Sequence, residues 1–332
     1  DVENVEVVLP STGPLSSLQI TQARLNARES GIAHLEASLK VGGRAGQLEA
    51  ELDRDPKTGL FRAVTLSVDL LEGEEPSLEE AAAPRDKIEG LSLAVTGSQT
   101  SGPQKLSLEA RVSGADFGFG KRGDRIAGDV ALRATLQDGA GKIEIDALEI
   151  TSGRSNWRLH GAIGPAPEAD RGYRFELVSD GSTIARDDVN EPAMAAVALI
   201  TGHIETEFGG FHADEIRIRT EQGEATASFS LLVEPNLVPG FALRVDTTGI
   251  PVAQAKQLWP WFAAHGARDW VTTNIYGGRV ESGFLEIKMA PGRVGDGVPL
   301  QREEMSGEFV VRGTRFDIAG RMPPMRDGVP VK

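Results

Sequence analysis

The chain has 332 residues, 40% of them hydrophobic, with no Cys and a formal net charge of -14. That length allows two or three ordinary domains, although an all-β array can run this long as one body. Without Cys there is no disulfide framework and no thiolate metal site, and the acidity argues against nucleic acid or anionic headgroups as partners of the whole surface.

From Ser17 the pattern is alternation. Leu35, Ala37, Leu39 and Val41 point one way, Gly42 and Gly43 turn, and Leu48, Ala50 and Leu52 return, with mostly polar residues between them. Asp55 to Gly59 is a turn by composition, after which Val64, Leu66, Val68 and Leu70 make another strand. The acidic segment 72–89 holds two Pro and interrupts the pattern as a solvated loop. Strands resume around Leu91 to Val95, Leu106 to Val112, Val130 to Leu136, Ile143 to Ile150 and Trp157 to Gly161. Pro165, Ala166 and Pro167 break the series, which places a boundary between a first segment, 1–164, and a second, 172–332.

In the second segment Asn190 reads as an N-cap, with Pro192 in a first turn and Met194, Val197, Ala198 and Ile200 on one side. The spacing predicts a short helix near 190–201, ended by Gly202. Strands follow at Ile204 to Phe208, Ile216 to Thr220, Ala225 to Val233 and Phe241 to Val245. The stretch 251–274 then changes period: Val252, Ala255, Leu258, Trp259 and Phe262 share a helical face. Pro260 divides it into two helices, the second running from about Ala263 to Asn274 and ending at Gly277 and Gly278. The chain closes with strands at Val280 to Met289, Gly307 to Val311 and Phe316 to Ile318.

The fold class is therefore mainly β: a long meandering antiparallel sheet of about sixteen strands curled into a groove (open barrel or taco-like), with two or three short helices. A one-sided sheet this long buries its apolar face by sandwiching, by closing, or by curling around an apolar guest. Leu39, Leu66, Leu93, Leu108 and Leu132 are the candidate groove-lining residues.

Enzyme signatures are weak. Gly118 to Gly123 spells a dinucleotide pattern but precedes a strand-like segment, where a pyrophosphate needs a helix N-terminus. Gly139 to Lys142 is followed by Ile143, where a phosphate loop needs Ser or Thr. His34, His160, His203, His212 and His265 are scattered, with no pair at zinc-ligand spacing along the chain. The acid pairs Asp187 and Asp188, and Asp214 and Glu215, read as turn or strand-edge carboxylates. No catalytic group, cofactor or metal is expected, and Arg268 beside Asp269 reads as a helix-surface pair, the lesser alternative being that it anchors a neighbouring loop.

The segment LWPWFAAHGARDWVTTNIYGGRVESGFLEI carries Leu258, Trp259, Pro260, Ala267, Arg268, Trp270, Val271, Asn274, Ile275 and Gly278 in a pattern that resembles the AsmA-like superfamily and, within it, the YhdP-type central domain. Leu258, Trp259, Pro260, Arg268, Trp270, Asn274 and Gly278 are the motif positions, and the Trp residues read as an end cap packed against the strand from Val280 to Met289. The resemblance implies a periplasmic scaffold, not an enzyme, whose apolar sheet groove carries phospholipid acyl chains between the inner and outer membranes of a Gram-negative bacterium and supports outer-membrane homeostasis. It further implies a longer parent anchored in the inner membrane through segments outside this chain, which begins at Asp1 and ends at Lys332. The alternative is a closed β-sandwich or barrel serving as a structural or interaction module of the cell envelope.

Overall fold

The computed structural model describes residues 2–8, 17–27, 31–41, 44–55, 61–70, 88–98, 105–119, 124–137, 141–166, 172–205, 210–234, 240–260, 265–293, 301, 303–317, 325–326 and 329–330. Among these residues it is mainly β, as the alternation requires, with seventeen strands in antiparallel sheet, a four-stranded second sheet and two short helices. Contacts divide the chain into two compact units, Asp1–Gly118 with Arg125–Ser152, and Phe119–Asp124 with Gly153–Lys332. The division falls at Ser152 and Gly153, whereas the Pro-rich stretch near 165 only joins two paired strands of the second unit.

The first unit holds β1 (Val2–Val8), β2 (Ser17–Ala27), β3 (Ile32–Val41), β4 (Arg44–Arg54), β5 (Phe61–Leu70), β6 (Gly90–Ser98), β7 (Lys105–Phe119), β8 (Asp124–Gln137) and β9 (Ile143–Ser152). From β1 to β7, and again from β8 to β9, each strand pairs with the next, so the ladder is a meander. Register puts the apolar residues in rows across the strands. Leu35, Ala50, Leu66, Val95 and Leu108 form one row, and Ala37, Leu48, Val68, Leu93 and Ala110 the next. Because side chains alternate with period two, both rows and Leu39 share one face. Leu39 is buried, and Leu66, Leu93, Leu108 and Leu132 are half-buried; Leu132 lies opposite Leu148. Most of the acidic segment 72–89 and Gly120 to Gly123 lie outside the described residues. Strands β7 and β8, with no helix, flank the latter.

The second unit holds β10 (Ser155–Pro165), β11 (Gly172–Ile184), β12 (Met194–Glu205), β13 (Phe211–Thr220), β14 (Gly223–Leu232), β15 (Gly240–Pro251), α1 (Val252–Leu258), α2 (His265–Asn274), β16 (Ile275–Tyr276), β17 (Arg279–Met289), β18 (Met305–Arg312), β19 (Arg315–Phe316), β20 (Met325–Arg326) and β21 (Val329–Pro330). Strands β10 to β15 pair in sequence, β15 pairs with β17 across the helices, and β17 pairs with β18. Among the described residues no registered pairing returns β18 to β10, so this ladder does not close on itself. Strands β16, β19, β20 and β21 make the small sheet beside α2.

One expectation fails here. Residues near 190–201 form no helix; 185–193 is an irregular loop and Met194 begins β12. The burial of Met194, Ala196 and Ala198 alternates with exposure at Ala195 and Val197, and both edges of the strand are hydrogen-bonded, to β11 and β13. The Ala-rich start satisfies a helical pattern on paper, but two partner strands and the β-branched Val197, Ile200, Thr201 and Ile204 favour extension.

Candidate functional site

In the second unit the apolar face carries a row of rings. Phe175 stacks on Phe211 at 5.2 Å between centroids, Phe211 lies 6.4 Å from Phe229, and Phe229 lies 6.2 Å from Phe241. They come from β11, β13, β14 and β15, and the intervening β12 contributes Gly202 opposite Phe175. A Cβ at Gly202 would stand 2.0 Å from the carbonyl oxygen of His212 and 2.6 Å from the Phe175 ring, so the row closes only because that strand is bare there. The row continues into a core of Phe241, Leu243, Leu285 and Ile287, against which Phe229, Trp259, Met289 and Met305 pack. The opposite face is polar: between Leu243 and Val245 stands Arg244, paired with Asp246 at 2.8 Å.

Helix α1 roofs the end of this face. Pro251 precedes the first turn, and Pro260, lacking an N–H, stands just after Trp259, whose own N–H closes the helix on the carbonyl of Ala255 at 3.0 Å. Between roof and sheet lies a cavity of about 130 Å³. Val245, Thr247 and Leu285 form its floor, Phe309 and Val311 one wall, and Ala255, Leu258, Trp259 and Val271 its roof. Trp259 stacks on Phe309 at 5.9 Å. The lining is almost wholly apolar; its polar residues are Lys256 and Thr247, whose hydroxyl is buried without a hydrogen-bond partner among the described residues. Such a volume takes about one benzene-sized group, or the end of an acyl chain.

A polar lock holds the roof to the loop 185–193. Lys256 is 2% exposed, and its Nζ donates to Glu191 Oε1 at 2.7 Å and to the carbonyl of Thr272 at 3.2 Å, beneath the Tyr276 ring at 4.7 Å. Gln257 accepts from the Arg186 N–H at 2.7 Å and donates to the carbonyls of Glu191 and Pro192 at 3.0 and 3.2 Å. Arg186 grips Asp188 with two hydrogen bonds of 2.9 Å, and Arg268 Nη2 lies 2.7 Å from the same carboxylate. That last contact is an ion pair without hydrogen-bond alignment, and Arg268 Nε and Nη2 have no such partner among the described residues. Burial would raise the Asp188 carboxyl, but the hydrogen bond and charge of Arg186 and the charge of Arg268 together hold it below the usual carboxylate range. Burial pulls the Arg268 guanidinium down, against the attraction of Asp188.

The motif residues therefore have separate roles. Leu258, Trp259 and Pro260 line the cavity. Asn274 Nδ2 caps α2 through the carbonyl of Trp270 at 2.8 Å. Gly278 has φ 71°, and a Cβ there would stand 2.4 Å from the Arg312 carbonyl, so the position requires glycine. Two expectations are corrected. Arg268 is buried and anchors the loop through Asp188, because α2 turns that face inward, so it is not a surface pair with Asp269. Trp270 does not pack on β17: it is 44% exposed, and its ring neighbour is Phe316 at 6.4 Å. Trp259 carries the cap alone among the described Trp residues of this stretch; Trp261 lies outside them.

Of the weighed acids, Asp187 pairs with Arg154 at 3.2 Å and Glu215 with Arg217, so neither stands as a carboxylate dyad. His34 faces Glu51 at 3.3 Å. His203 and His212, nine positions apart in sequence, are directly opposite each other on β12 and β13. Spacing along the chain misses that pair, but two His-x-acid triplets, His203 to Glu205 and His212 to Asp214, were a readable signal, since period two puts each pair on one strand face.

Comparison with protein-family models, with curated proteins and with solved structures finds no match. The AsmA-like resemblance therefore rests on the motif residues themselves.

Proposed function

We propose that this chain is a non-enzymatic scaffold that holds phospholipid acyl chains along an apolar sheet face, as part of lipid movement between the inner and outer membranes. The observation that supports it most is the continuity, within the second unit, of the ring row from Phe175 to Phe241 with the apolar cavity under α1. A cavity of about 130 Å³ is too small for a whole lipid, so a chain end enters it and the rest lies on the face. Each methylene removed from water contributes about 0.8 kcal/mol. A dozen methylenes thus outweigh the ordering of one chain, and no fixed headgroup site is needed. In the first unit the exposed Leu25, opposite Leu35, supports the same use of an apolar face. A periplasmic location and a membrane-anchored parent belong to this proposal through the motif resemblance.

The absence of Cys supplies the test. Single cysteines at Val245, on the apolar face, and at Arg244, on the polar face, are labelled with an environment-sensitive fluorophore. Vesicles of phospholipid brominated along the acyl chain should quench the label at 245 and leave the label at 244 bright. Equal quenching at both, or none at 245, refutes the proposal.

A further inference from the structure

On the polar face of β12 and β13, outside the apolar site, a second cluster is assembled by strand register. His203 and His212 are cross-strand partners, and their rings stack at 4.5 Å with 9° between planes. Two positions beyond His203, Glu205 points to the same face, with Oε1 3.4 Å from His212 Nε2. One candidate ligand atom from each of these three residues lies within 4.8 Å of the others. We propose that His203, Glu205 and His212 bind a divalent transition-metal ion, with zinc as the reference ion, and so clamp the β12–β13 hairpin at its turn end.

Three features suit an ion at this cluster. The first is the shell behind the ligands. His203 Nδ1 lies 3.1 Å from Asp214 Oδ2, and His212 Nδ1 lies 3.0 Å from Ser230 Oγ. The Asp214 carboxylate only accepts, so Nδ1 of His203 is the donor and Nε2 of the neutral ring keeps its lone pair. A ring oriented through one nitrogen by a carboxylate or hydroxyl, with the other nitrogen presented, is the arrangement metal-ligating His usually adopts. The second is separation. Two zinc–ligand bonds of about 2.0–2.1 Å at a tetrahedral angle put the donor atoms about 3.3 Å apart, and the His212–Glu205 separation is already 3.4 Å. The third is room. A Cβ added at Gly210 would stand 3.0 Å from Glu205 Oε2 and 3.2 Å from His212 Nε2, so glycine keeps space open beside two of the three ligands. Glu205 and Asp214 supply negative charge to balance a dication, and two imidazoles with one carboxylate suit zinc, cobalt or nickel better than magnesium or calcium. With three protein ligands the fourth position is left to water.

The test is a calorimetric titration of the intact, untagged, metal-stripped chain with zinc, then with magnesium as the contrast, alongside cobalt absorption spectroscopy. We expect one zinc per chain at micromolar concentration, a four-coordinate cobalt spectrum, and no magnesium binding. Asp214→Asn should weaken binding about 10–100-fold, and His203→Gln or His212→Gln at least as much. Gly210→Ala, which removes no ligand, should also weaken it by filling the space. His160→Gln, on another strand, should leave affinity unchanged. Circular dichroism of each apo variant confirms that it is folded. Binding seen only at millimolar zinc, or binding retained by the His203→Gln/His212→Gln double variant, overturns the proposal.

Discussion

Replacing Glu191 by Gln removes one charge from the lock while keeping its shape, and the structure sets the consequence. Lys256 Nζ stands 2.7 Å from Glu191 Oε1, which at an effective dielectric of about 20 is an attraction of about 6 kcal/mol. Most of that offsets the desolvation of an ammonium only 2% exposed, so the pair itself adds little. Once the partner is neutral, the desolvation remains without its compensation, and breaking a buried pair in this way costs about 3–5 kcal/mol. The Thr272 carbonyl and the Tyr276 ring still face Nζ, and Glu191 is partly solvated, which puts the expected loss near the low end, at about 3 kcal/mol. For a unit of this size that is a drop of about 6–12 °C in melting temperature. Hydrogen exchange should show lost protection in 185–193 and in α1, while β3 to β6 keep theirs. The double variant Lys256→Met/Glu191→Met should recover most of the loss, since paired apolar groups have no charge to desolvate. A Glu191→Gln protein that melts within about 0.5 kcal/mol of wild type, or a double variant no more stable than the single one, would refute this account of the lock.

Three further outcomes are expected. Gly202→Ala should cost about 1–3 kcal/mol in urea unfolding, because its Cβ collides with the His212 carbonyl and the Phe175 ring. Trp259→Ala should cost about 3 kcal/mol and enlarge the cavity, while Trp270→Ala should cost under about 1 kcal/mol, a contrast read directly from paired melting curves. The Asp188 carboxyl is depressed in the folded state, so its contribution is present above the unfolded value of about 3.9 and is lost as the pH falls through the lower folded value. Asp188→Asn should therefore lower stability at neutral pH and flatten the acid limb below about pH 4, which denaturant melts across the pH range would show.

The sequence by itself determined most of the strands, the side those strands bury and the break at 251–274. Alternation with period two and a switch to helical spacing are local facts, and Leu39, Leu66, Leu93 and Leu108 share a face because every intervening residue reverses direction. What needed the tertiary structure was every decision made across strands. Met194 to Ile204 extends because hydrogen bonds from β11 and β13 outweigh an Ala-rich helical pattern, and no window on one segment contains those partners. Arg268 looked like a surface pair until α2 laid it against Asp188, eighty positions earlier. Trp259 and Trp270 are equal in sequence, yet one roofs a cavity and the other meets solvent, because burial depends on what faces each ring in the fold and not on residue type. His203 and His212 meet only through register, a property of the pairing between strands that neither strand carries alone.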